Sequence, residues 1–211
     1  MYNLTQKEYT GIRYLELIPE SKVDEKSVLI YLHGAGERGV DLEKINTHGP
    51  IKEIISGKVL NEDFIVLAPQ CEEGKTWWDY AERIYAWILW YIDTASVDKK
   101  RIYLTGNSMG GYGTWALAMA HPELFAAIVP ICGGGLSWNA KVLKDIPVWA
   151  FHCVGDDVVP CQTTIEMVEG VKKYSREDVK ITIYPKCSHD AWTETYQNQE
   201  VYNWLLIHEK D

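Results

Sequence analysis

Short apolar runs alternate along this chain with stretches of helical periodicity. Ser27-Val28-Leu29-Ile30-Tyr31-Leu32 and Phe64-Ile65-Val66-Leu67-Ala68-Pro69 are almost continuously apolar, as strands covered on both faces must be. Ala126 to Cys132 and Ile146 to Cys153 repeat that pattern. Thr10 to Pro19 and Val179 to Tyr184 alternate, which predicts strands with unlike faces. A polar turn is expected over residues 21–26. Between strands, Ile84, Trp87, Ile88 and Tyr91 recur at helical spacing and predict a helix over Ala81 to Ala95. Gln162 to Tyr174 and Thr193 to His208 predict two more. Leu42 to Lys58 predicts loop and short helix, broken at His48-Gly49-Pro50. Strands and helices alternate with no repeat or linker. The pattern predicts an α/β fold: one mostly parallel, doubly wound sheet with helices on both faces. A single domain over residues 1–211, with no separate lid, is expected.

One strand–helix junction stands apart. Ile102-Tyr103-Leu104-Thr105 runs into Gly106-Asn107-Ser108-Met109-Gly110-Gly111, and Thr114 to Ala120 continues as a helix. Gly-x-Ser-x-Gly between a strand and a helix is the setting of a nucleophile elbow. The sharp turn strains the serine backbone, so its neighbours must be small. The amide of Met109 then lies at a helix N-terminus, which favours a nearby anion. His33-Gly34-Ala35-Gly36 follows a central strand, and its glycines let the backbone aim an amide at the serine. Ala35 and Met109 are therefore the expected oxyanion donors. His33 is expected to hold that loop by hydrogen bonds and to do no chemistry.

A serine hydroxyl needs a base, and the base needs a carboxylate. His189 lies in the loop after the last strand, and Asp156-Asp157 in the loop after the strand before it. Either aspartate fits the acid's place. The chain order serine, aspartate, histidine differs from both main serine protease orders. His48, His121, His152 and His208 lack such placement. Gly133-Gly134-Gly135 lacks the Lys-Ser/Thr of a phosphate loop and is expected to shape a turn beside the site. Trp77, Trp78, Trp138 and Trp192 are candidate pocket residues for an aromatic or sugar group, with core packing as the competing reading.

Composition adds limits. The 211 residues are 46% hydrophobic and 24% charged, with a formal net charge of −9. That charge opposes nucleic acid or an anionic membrane as partner. No apolar run approaches the roughly 20 residues of a membrane helix, and the N-terminus lacks the pattern of a signal peptide. Five cysteines, Cys71, Cys132, Cys153, Cys161 and Cys187, include no Cys-x-x-Cys pair. The simplest expectation is free thiols in a reduced, cytoplasmic protein.

These segments together resemble the α/β-hydrolases of the compact carboxylesterase/phospholipase-like group, near small bacterial esterases often labelled predicted peptidases. The residues carrying the resemblance are Leu32 to Gly39, Ala68 to Cys71, Val97 to Trp115, Asp156-Asp157-Val158-Val159-Pro160 and His189-Asp190-Ala191-Trp192. They span nearly the whole chain. The family's Asp-x-Val-Val-Pro pattern implies Asp156 as the acid. The chain departs from it at Cys153, where a glycine usually follows the histidine. The resemblance implies a serine carboxylic-ester hydrolase acting through an acyl-enzyme, with Ser108, His189 and Asp156 as triad, neither metal nor organic cofactor, and a small-molecule ester as partner. The absence of a long insertion between Gly135 and Ile146 suits short acyl chains or acylated sugars. The same triad serves peptidases, thioesterases and (lyso)phospholipases. A noncatalytic binding protein on this fold is the reading from another class. Oligomeric state is unreadable.

Overall fold

The computed structural model describes residues 2–21, 25–59 and 63–210. Eight strands form one sheet: β1 (Tyr2–Tyr9), β2 (Ile12–Pro19), β3 (Lys26–Leu32), β4 (Phe64–Pro69), β5 (Val97–Asn107), β6 (Ala127–Ile131), β7 (Val148–Cys153) and β8 (Val179–Tyr184). Their spatial order is β1-β2-β4-β3-β5-β6-β7-β8. β1 and β2 form an antiparallel hairpin, and β2 runs antiparallel to β4. From β4 to β8 every pairing is parallel. The helices are α1 (Pro50–Ile55), α2 (Trp77–Thr94), α3 (Met109–Ala120), α4 (Gln162–Lys172), α5 (Ala191–Tyr196) and α6 (Gln199–Leu206).

The period-2 rule explains how the sheet is covered. On β3, Val28, Ile30 and Leu32 face a core shared with Ile84 and Trp87 of α2, Trp115 of α3 and Met167 of α4. Leu29 and Tyr31 face a second core, with Ile51 and Ile54 of α1, Tyr196 of α5 and Tyr202 of α6. Two packed faces account for the continuous apolar runs. A parallel sheet also gathers the C-terminal ends of its strands along one edge, where ligands meet open α/β sheets. The loops after β3, β5, β7 and β8 therefore share that edge.

Three local expectations change. α2 begins at Trp77 rather than Ala81, because Thr76 and Asp79 form a capping box: Asp79 Oδ2 accepts from the Thr76 amide at 2.8 Å. The closing helix is two helices, because Asn198 starts α6 by accepting from Glu200 N at 3.1 Å. Val97 to Arg101, expected as a turn, belongs to β5, with a register shift where Val97 pairs with Lys26 and Ile102 with Val28. The hairpin partner β1 carried no clear apolar alternation. The polar turn at 21–26 falls partly on residues 22–24, outside the described set. Among the described residues, no helix is long and apolar enough to cross a membrane.

Candidate active site

Ser108 stands between the last residue of β5 and the first of α3, with φ 55° and ψ −116°. A non-glycine residue there costs roughly 1–3 kcal/mol and persists only if its surroundings impose it. They do. The Ser108 amide donates to Ile131 O of β6 at 2.9 Å, and its carbonyl accepts from Tyr112 N at 3.1 Å. A Cβ on Gly110 would land on the Leu32 carbonyl, and one on Gly106 on the Gly110 carbonyl. Only glycine lets β3, β5 and α3 meet this closely.

That approach lays the loop after β3 against the elbow. Ala35 opens a short 3₁₀ turn, Ala35–Glu37. Met109 heads α3, whose first amides lack intrahelical acceptors. His33 is fully buried beneath the loop. Its Nε2 accepts from Cys71 N at 2.9 Å and its Nδ1 donates to Gly34 O at 2.6 Å. Burial lowers its pKa to about 4, which agrees with an acceptor nitrogen. The ring holds the loop, as expected.

His189 reaches Ser108 from the loop after β8. Ser108 Oγ lies 2.7 Å from Nε2, and His189 Nδ1 lies 2.7 Å from Asp156 Oδ2. The other carboxylate oxygen accepts from Val158 N at 3.0 Å and Val159 N at 2.8 Å. Burial alone would raise the Asp156 carboxyl. The hydrogen bonds from His189 and the two amides outweigh it, and the group lies below the usual carboxylate value. Asp157 is exposed. Asp190 caps α5 through Thr193 N. The structure thus brings Ser108, His189 and Asp156 into one hydrogen-bonded chain.

The free-thiol expectation is corrected here. Cys153 and Cys187 form a disulfide across 34 residues, with Cα atoms 5.5 Å apart. Cys153 ends β7, three residues before Asp156, and Cys187 lies two residues before His189. The bond staples the acid loop to the base loop, and this explains a cysteine where the family usually has glycine. Strand pairing alone brings these two together: Cys153 is in register with Tyr184. Closing such a loop contributes roughly 3–4 kcal/mol. Cys71, Cys132 and Cys161 are free. The expectation of a reducing compartment loses its support.

The four tryptophans separate. Trp77 is 3% exposed, donates from Nε1 to His33 O at 2.9 Å and packs where a Cβ on Gly113 would stand. It supports the loop after β3 from within the core. Trp192, 8% exposed, sets its ring edge-on to His189 at 5.1 Å. Its other neighbour is His48, at 5.7 Å; sequence reasoning had set His48 aside because only the fold brings it near the site. Trp78 and Trp138 are 51% and 80% exposed. Trp78 lies in the first turn of α2, next to Trp77, whereas Trp138 lies between Ser137 and Ala140, which pack against Gly170 in the last turns of α4, away from the strand ends that hold Ser108. Gly133 packs against Gly111 and Tyr112 of α3, so the glycine run does shape a turn there.

The family model for Phospholipase/Carboxylesterase matches residues 78–208. A bifunctional acetylxylan esterase/xylanase of Neocallimastix patriciarum is 28% identical over 197 residues, covering 88% of this chain and 27% of that protein. Acetylxylan esterase A of Aspergillus ficuum is 22% identical, covering 92% of this chain and 65% of that protein. This chain therefore spans only part of these relatives. Among solved structures, a thermostable esterase superposes with a TM-score of 0.84 and 31% identity, over 99% of this chain and 63% of that one. The feruloyl esterase module from Clostridium thermocellum shares the fold, with a TM-score of 0.71 and 16% identity over 97% of this chain and 87% of that one.

Proposed function

This chain belongs to the phospholipase/carboxylesterase family, and on that footing we propose that it is a serine hydrolase of carboxylic esters working through a Ser108–His189–Asp156 triad. The observation that carries this reading is the pair of 2.7 Å contacts from His189, one to Ser108 Oγ and one to Asp156 Oδ2. With Nδ1–H bonded to the carboxylate, Nε2 presents a lone pair to the hydroxyl. His189 takes the Ser108 proton as Oγ attacks the ester carbonyl. The oxyanion is held by the Ala35 and Met109 amides. His189 then protonates the leaving alcohol, and in a second half-reaction it activates water to release the acid. No step calls on a metal or an organic cofactor.

The substrate we favour is a short-acyl ester carried on a carbohydrate. Acetylxylan esterases are among the relatives, which cover up to 92% of this chain. Trp78 offers an exposed indole face at the start of α2, next to Trp77, which bonds the loop after β3, and such a face suits a sugar ring. Trp192 packs edge-on against the His189 ring, next to the proposed base. The protein is read as one hydrolase domain acting on a small-molecule ester.

Hydrolysis of p-nitrophenyl esters from acetate to palmitate, beside acetylated xylo-oligosaccharides, tests this. We expect activity to be greatest at acetate and to be lost in Ser108→Ala. Activity rising with chain length would direct the assignment to lipid esters. A folded protein with no activity, and no fluorophosphonate adduct on Ser108, would overturn the enzyme reading.

A further inference from the structure

Behind the candidate acid lies a second histidine that the proposed mechanism does not use. His152 is on β7, four residues before Asp156, and its side chain is fully buried. Its Nε2 is 2.9 Å from Val159 O and 3.1 Å from Asp156 Oδ2. A carbonyl and a carboxylate only accept, so Nε2 carries a proton. Its Nδ1 is 2.7 Å from Thr164 Oγ1. That hydroxyl has one proton to give, and Oγ1 lies 2.6 Å from Gly133 O. Two oxygens that close, with no hydrogen between them, would repel. The Thr164 proton therefore goes to Gly133 O, and the proton between Oγ1 and Nδ1 has to come from His152.

We propose that His152 carries both ring protons and stands as a buried imidazolium behind Asp156, acting through that carboxylate as a positioning residue for His189. The inference rests on the triad reading above. A buried cation persists only beside a counter-charge, and Asp156, with its side chain fully buried, is that partner. One carboxylate oxygen is then held from two sides, by His189 Nδ1 and His152 Nε2, while the other is held by two amides. The carboxylate cannot rotate without breaking both sets.

The other titratable groups facing Asp156 are thiols. Cys132, at the end of β6, hydrogen-bonds Asp156, and burial pushes its pKa up to about 12. Cys161, just before α4, is also raised by burial and by the Asp156 charge. Both stay neutral, so His152 and His189 are the only cations Asp156 can meet among these groups. A cation behind Asp156 draws on the oxygen that stabilises protonated His189, which favours the unprotonated base. Removing it makes Asp156 a stronger partner for protonated His189, so the acid limb of activity moves to higher pH.

The opposing arrangement has a neutral His152. Trp115 Nε1 also donates to Gly133 O, at 3.2 Å. A Thr164 hydroxyl turned toward Nδ1 would leave that carbonyl one donor. Long-range proton–nitrogen correlation spectra of the wild-type protein, with ¹⁵N-labelled histidine, separate the two at pH 7. We expect both His152 ring nitrogens to be protonated; an unprotonated Nδ1 overturns the proposal. This readout does not depend on turnover.

The pH profile of p-nitrophenyl acetate hydrolysis by His152→Gln tests the positioning role. The acid limb of kcat/KM is expected to rise by about 1 pH unit. The kcat is expected to fall about 10-fold with KM little changed. An unmoved acid limb overturns the role. Should that variant not fold, Thr164→Val removes the Nδ1 acceptor and is expected to shift the limb in the same direction. Fluorophosphonate labelling of the wild type distinguishes the failures: no Ser108 adduct sinks the triad reading, whereas an adduct with a neutral His152 sinks this inference alone.

Discussion

The two halves of the site are held in different ways. Ser108 is fixed by backbone. Its strained φ of 55° is imposed by Gly106 and Gly110, which let the Leu32 carbonyl and α3 close around it. Asp156 and His189 are fixed by side chains. Their loops are stapled by Cys153–Cys187, and the carboxylate is surrounded by His189, His152 and two amides. A strained turn suits a group that must stay in one place while its bonds change. A side-chain network suits a pair that must exchange charge, because each hydrogen bond can strengthen as the proton moves.

The largest effect is expected on the network side, without loss of fold. Asp156→Asn keeps the shape but loses the charge and favours the wrong His189 tautomer. A fall of about 10⁴ in kcat is expected, measured on p-nitrophenyl acetate. Near-normal kcat would mean that Asp156 is not the acid. On the backbone side, Gly110→Ala drives a methyl into the Leu32 carbonyl. It is expected to cost about 4 kcal/mol or to prevent folding, read from the urea midpoint. The contrast between the halves fails if this variant is stable and active.

The staple comes next. A Cys153→Ala/Cys187→Ala double variant is expected to lose roughly 3–4 kcal/mol of stability. It is also expected to lower kcat about 10-fold with little change in KM, because the acid and base loops separate while the substrate surface stays. Equal kcat in the variant would show that the network alone aligns the pair.

The smallest effect concerns the loop under Ala35. His33 has its pKa lowered from 6.5 to about 4 by burial. The unfolded chain then binds a proton between these values that the folded one does not. The stability from this group is complete above pH 6.5 and is lost as pH falls toward 4. The loss amounts to about 3 kcal/mol. Comparing unfolding free energies at pH 7 and pH 4.5 for wild type and His33→Gln should show a smaller pH difference in the variant. An identical difference would mean that His33 is not buried neutral.

Much of this was legible because it is local. Gly106, Ser108 and Gly110 share one turn, so their spacing carries the geometry. The two-sided cores of β3 and β4 follow from continuous apolar runs, since a strand with one wet face would have to alternate. Asp156 and His189 were legible at one remove: each follows a late strand, and parallel pairing brings such loops to one edge. β1 was missed because an edge strand, half of whose side chains face water, needs little apolar pattern. Sequence left Trp77 open between pocket wall and core packing, because the capping box that sets it in the first turn of α2, with its ring buried, acts through the fold.

The chain's own residues therefore determine the layered α/β sheet, the serine turn and the order of the three groups, since each depends on short-range pattern and on glycine's lack of a side chain. Only the tertiary structure decided that Cys153 meets Cys187, that Trp192 meets both His189 and His48, and that His152 stands behind Asp156. Those contacts join residues from different strands, loops and helices. They arise from the register of β7 with β8 and from the packing of α4 and α5 against the sheet, which no local spacing encodes.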